Sequence, residues 1–137
     1  MPARPLRDVG PVRVEFAPRG WVQLLTPLYW PAVPGAPALW VPAGFVSDGG
    51  TIPPPIWWIV GHPYSGSMLP QYLAHDNDLK RGVPPWTAWA YLRARCRWRG
   101  VGRVRTGLVL AGVGAWIVLA PAWRWVARLV TRAPRAR

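Results

Sequence analysis

His75 and Asp76 stand side by side in the stretch Tyr72-Leu73-Ala74-His75-Asp76-Asn77-Asp78-Leu79, and their types suit metal chemistry. Adjacent side chains on a helix diverge by about 100°, yet both can bend toward one ion, so the doublet can supply two metal ligands. Phosphohydrolases with such a doublet also need further histidines or acids. Asp48 and His62 complete a conceivable tetrahedral zinc set with His75 and Asp76, and Asp78 is the remaining candidate nearby. The alternative is structural. Asp48 or Asp76 orients the His75 ring by a hydrogen bond and docks a turn on a helix, with no cofactor involved.

Asp48 lies in Phe45-Val46-Ser47-Asp48-Gly49-Gly50-Thr51-Ile52-Pro53. An aspartate before two glycines suits an Asx-turn, its carboxylate accepting from backbone N–H groups two and three positions on. Gly49 and Gly50 can supply positive φ, and Thr51 can cap whatever begins at Ile52 or Pro53. Asp48, Gly49, Gly50, Thr51 and Pro53 therefore read as a turn clamp. No nucleophile stands out. Ser65 and Ser67 fall in a loop-like HPYSGSM stretch, and Cys96 has no histidine or acid close in sequence. Its flanking arginines favour a lowered thiol pKa. Walker and dinucleotide-binding fingerprints are absent from the sequence.

A second kind of chemistry is anion binding. Arg93, Arg95, Arg97, Arg99, Arg103 and Arg105 interleave with Trp98, a pattern suited to contacting phosphates and stacking on bases or to sitting at a lipid headgroup layer. The alternative is a solvated helix face. Net charge is +12, and its placement is uneven: no acid follows Asp78, while thirteen basic residues occur from Lys80 onward. Such a half-chain is drawn to nucleic acid or an anionic membrane.

The elements that position these residues can be sketched from patterning. Val12 to Phe16 alternates as a strand, Trp21 to Trp30 reads as a second strand ended by Pro31, and Ala38 to Val41 as a short third that enters the turn Pro42-Ala43-Gly44. Phe45 to Ser47 can extend it. Ile56 to Val60 fits one helical turn after three prolines. Met68 to Leu79 fits a helix, Pro84-Pro85 opens another over Trp86 to Trp98, and Gly100 and Gly102 mark its end. Between Arg105 and Arg124 lie eighteen uncharged residues, 106–123. As a helix these span about 27 Å, close to the ~30 Å of a bilayer core. They can equally form a buried core helix. The expected class is α+β: a small N-terminal antiparallel β-meander followed by two or three helices, the last strongly apolar. The expected division is a compact domain over 1–105 and an apolar helix with a basic tail over 106–137.

The chain's 137 residues fit one domain. Eighteen prolines and fourteen glycines imply many turns, and eleven tryptophans are unusual for this length. One cysteine excludes an internal disulfide and a cysteine-based zinc cluster. MPARPLRDVG carries charge without an apolar stretch behind it, so export by the usual route is not expected.

Val41-Pro42-Ala43-Gly44-Phe45-Val46-Ser47-Asp48, then Gly49 to Pro53, then Leu73-Ala74-His75-Asp76, resemble the domain of unknown function 1353 family. These are small proteins found mostly in tailed bacteriophages and prophages. Pro54 stands where that family usually has arginine, and Asn77-Asp78-Leu79 replaces its aromatic-rich continuation. The resemblance implies a non-catalytic virion- or tail-associated structural or assembly protein, or a late-gene accessory factor. Its partners would be other phage structural proteins, and its location the virion or host cytoplasm. Two other functions remain open. One is a metal-dependent hydrolase on His75, Asp76 and Asp48, acting on cell wall. The other is an accessory protein associated with the inner membrane.

Overall fold

The computed structural model describes residues 7–17, 21–47 and 68–131. Asp48, Gly49, Gly50, Thr51, Pro53, His62, the two loop serines and the helical turn expected at Ile56 to Val60 lie outside them. The class is α+β, an antiparallel meander shared between two small sheets and followed by three helices.

Strands β1 (Val14–Ala17), β2 (Trp21–Leu24) and β5 (Val46–Ser47) form one sheet in the order β1-β2-β5. Val14 pairs with Leu24, and Val22 with Ser47. Strands β3 (Leu28–Trp30) and β4 (Leu39–Val41) form a separate antiparallel pair. The single strand expected over Trp21 to Trp30 is thus two strands in two sheets. The break falls at Thr26-Pro27, where proline has no N–H for a ladder and restricts the residue before it. Residues alternate in and out along β2, β3 and β4, as a period of two demands. Pro42 to Phe45 closes as a turn with Gly44 at φ 86°, and Phe45 N–H donates to the Pro42 carbonyl at 3.2 Å. That positive φ at the third position is the type II requirement.

Helix α1 (Leu69–Lys80) carries Pro70 in its first turn, where a missing N–H costs nothing. Helix α2 (Pro85–Arg99) starts on a proline and ends at Gly100, φ 88°. Gly100 N–H reaches the Arg97 carbonyl and Val101 N–H the Cys96 carbonyl, a Schellman closure available to glycine at little cost. Helix α3 (Arg103–Thr131) runs through Pro121 without ending.

Every residue of α1 from Leu69 to Asp78 is buried. One side joins Leu24, Leu28, Trp30, Leu39 and Val41 through Leu69, Leu73 and Ala74. On the other, Met68 and Tyr72 join Leu92 and Cys96 of α2 and Val109, Leu110 and Val113 of α3. The strands thus lie on one side of α1 and α3 on the other, while α2 reaches both cores, through Trp98 on the strand side and Leu92 and Cys96 on the other. The start of the segment set apart at residue 106 belongs to this second core.

Candidate functional site

Gln71, His75 and Asp78 fall at i, i+4 and i+7 of α1, and so share one face. On α2, Ala88, Leu92, Arg95 and Arg99 form a buried stripe. These two faces meet in a polar layer. Arg95 Nη1 donates to Asp78 Oδ2 at 2.5 Å, with the two side chains 1% and 3% exposed. Arg99 Nη1 donates to Gln71 Oε1 at 3.0 Å and Arg99 Nε to the Arg7 carbonyl at 3.1 Å. The Arg95 guanidinium also lies 5.8 Å from the centre of the Trp30 ring and 5.7 Å from that of Tyr91. Those π faces partly offset its desolvation.

The His75 ring sits between these two pairs. Nδ1 lies 3.3 Å from the Ala88 carbonyl, which can only accept, so the proton belongs on Nδ1. Burial above all lowers the imidazole pKa. The Ala88 hydrogen bond and the Asp78 and Asp76 carboxylates oppose that shift, while Arg95 reinforces it. A neutral ring in the fold and a titrating ring in the unfolded chain set the sign. Between the lowered folded value and the ordinary 6.5, the unfolded state binds the extra proton, so stability falls as pH drops through that window and this contribution is constant above it. Urea unfolding at stepped pH is expected to show this loss in the wild type. In His75→Gln, the pH dependence below 6.5 is expected to be shallower.

Asp76 faces another neighbour. Its Oδ2 is 3.3 Å from Lys80 Nζ, although without a directed hydrogen bond. Lys80 Nζ in turn donates to the Val46 carbonyl and lies 4.9 Å from the centre of the Phe45 ring. The doublet therefore divides, His75 toward α2 and Asp76 toward the Lys80–β5 contact. Among the described residues no group of three histidines, cysteines or acids is placed to hold a metal ion. Asp48 and His62, the other members of the expected ligand set, lie outside the described residues. Ser47, the residue before Asp48, is buried in β5, which packs against α1.

The six arginines expected to form one anion-binding surface separate. Arg95 and Arg99 turn inward to Asp78 and Gln71. Arg105 is half-buried, close enough to Tyr72 and Cys96 for its charge to act on both. Arg93, Arg97 and Arg103 are exposed and line one open cavity of about 870 Å³ with Thr106, Gly107 and Leu110. Arg97 also borders a second cavity of about 380 Å³, with Arg7, Trp98 and Arg99. His75, Asp76 and Asp78 line neither.

Cys96 is fully buried, and burial pushes its thiol up to about 12, outweighing the lowering by Arg99 and Arg105. The effect expected from its arginine neighbours is reversed because the sulfur points into the helical core. The Asp78–Arg95 and Gln71–Arg99 pairings escaped the sequence reading. Their signal was helical spacing: 71, 75 and 78 on one element, 88, 92, 95 and 99 on the next. No family model, no curated protein and no solved structure matches this chain.

Proposed function

We propose that the chain is a non-catalytic structural or assembly protein that works by holding a partner. Its setting is that implied by the resemblance to the domain of unknown function 1353 family: a virion- or tail-associated component or late-gene accessory factor of a bacteriophage. One observation supports the non-catalytic part most. Gln71, His75, Asp78 and Arg95 are buried and line neither described cavity, and of this layer only Arg99, whose guanidinium cannot act as a base, reaches one. A general acid or base must reach a substrate proton within hydrogen-bond distance, directly or through one water. A buried polar layer of this kind instead favours a unique packing of helices.

Two measurements test the proposal. Mass spectrometry of purified virions is expected to find the chain in fixed proportion to tail or head proteins. Metal analysis of the purified protein is expected to find no stoichiometric ion, and chelator no effect on stability. A tightly held divalent ion whose removal abolishes a hydrolytic activity would overturn the proposal in favour of the hydrolase.

A second function, membrane association, is favoured by α3. Its stretch Arg103–Val126 is long and apolar enough to cross a membrane by length and composition.

A further inference from the structure

The outward face of α3 is the wrong way round for a helix facing water. A surface helix normally turns charged or polar residues outward. Here the exposed positions include Val104, Leu108, Ala111, Ala115, Val118, Leu119, Ala122 and Val126. Val104 is 79% exposed, Val118 63% and Leu119 59%. At about 100° per residue these eight fall within one arc about 100° wide that contains no charge.

The arginine cavity lies beside that arc. Gly107 both lines the cavity and sits at the arc's edge, while Arg103, Arg93 and Arg97 supply the positive charge next to it. None of the three forms an ion pair among the described residues. An apolar face flanked by arginines is complementary to the acyl layer and phosphates of an anionic leaflet, with the long stems buried and the guanidinium groups in the headgroups. A second copy of the chain is a poorer occupant, because each copy carries a net charge of +12.

The packing of α2 also decides how α3 would meet lipid. The start of α2 lies against the middle of α3: Trp86 and Trp89 approach Gly114, and Trp89 Nε1 donates to the Leu110 carbonyl at 2.9 Å. The end of α2 brings Arg93 and Arg97 to the level of Arg103 to Leu110. The two helices are therefore antiparallel, and the first two turns of α3 lie beside exposed cations. Only Ala111 to Trp123, the thirteen residues before Arg124, could enter hydrocarbon end-on. Their ~20 Å is well short of the ~30 Å core. Lying in the plane of the interface requires no such length.

We propose that α3 lies flat on an anionic lipid bilayer through its exposed apolar face, with lipid phosphates held by Arg93, Arg97 and Arg103. This rests on the partner-holding function above and identifies the partner as a membrane surface.

The test is co-flotation of the full-length protein with vesicles of phosphatidylcholine alone or mixed with phosphatidylglycerol. Binding is expected to be strong on the mixed vesicles and weak on pure phosphatidylcholine. Each arginine near an anionic surface strengthens binding about fivefold, so Arg93→Gln/Arg97→Gln/Arg103→Gln is expected to weaken binding on the order of 100-fold. Val118→Asp/Leu119→Asp is expected to release the protein from both vesicle types. All five positions are exposed, and unchanged circular dichroism confirms that both variants fold. Oriented circular dichroism on supported bilayers is expected to place the helix parallel to the membrane.

Four results would overturn the proposal: no dependence on phosphatidylglycerol, a perpendicular helix, a dimer that covers the α3 face and leaves vesicles unbound, or arginine-dependent binding of duplex DNA or inorganic phosphate without vesicle binding. Protein present in virions but indifferent to vesicles defeats the membrane inference alone. Vesicle binding by a chain absent from virions defeats only the phage-particle placement.

Discussion

Asp78→Ala is expected to lower the unfolding free energy by about 3–5 kcal/mol, because it strands the Arg95 guanidinium in a dry interface. The pair is 2.5 Å apart, and both side chains are almost wholly buried. Arg95 Nε and Nη2 already lack hydrogen-bond partners among the described residues, so Asp78 supplies most of its compensation. Against a typical total of 5–15 kcal/mol, this loss leaves the fold marginal. Urea unfolding measures it. Removing both charges separates the cost of an orphaned cation from the value of the pair. Asp78→Leu/Arg95→Met is expected to recover most of the stability, since apolar replacement of a buried pair is often neutral or favourable. A loss below about 1 kcal/mol for the single variant is what an exposed ion pair gives, and would show that the layer is open to water.

Trp30→Ala is expected to cost about 3–5 kcal/mol through the cavity it leaves. Trp30 is fully buried in the strand-side core, with its ring centre 6.1 Å from that of Trp98 on α2 at a tilt of 58°. It also presents its ring to Arg95. The variant therefore removes packing between β3 and α2 together with the π face over a buried cation. Trp30→Phe is expected to be much milder, because the indole N–H is buried without a partner among the described residues and its loss relieves an unsatisfied donor. Combining Trp30→Ala with Asp78→Ala is expected to be non-additive, since both act on Arg95. Additive costs would mean that the ring contact contributes packing only.

Local rules made the helices legible. The proline pair at Pro84-Pro85, the glycine at Gly100 and the apolar run after Arg105 each state a boundary or a burial requirement by themselves. The strands were less so. The apolar stretch from Trp21 to Trp30 contains one proline, and whether Pro27 ends a strand or merely edges it depends on which sheet the next residues can join. The arginine run shows the same limit. Arg93 and Arg97 differ from Arg95 and Arg99 only by their angle around α2, and what awaits the inward pair is Gln71 and Asp78 on another helix. Local charge also misled at Cys96, where burial outweighs two nearby cations.

At the doublet, sequence adjacency suggested convergence, but Ala88 and Lys80 draw His75 and Asp76 to different sides. The expected contact between Asp48 and His75 falls partly outside the described residues.

A helix enclosed on all sides has consequences for how the chain acquires its shape. From Leu69 to Asp78, α1 has no face that water would stabilise alone, so it gains little by forming before its surroundings exist. Those surroundings come from distant stretches: Val46 meets Lys80, and Gln71 meets Arg99. Each closure costs chain entropy before any burial rewards it. The strand layer and the helical layer are therefore expected to form together around α1, and a fragment ending before or beginning after that helix lacks the wall against which its own apolar side chains would close.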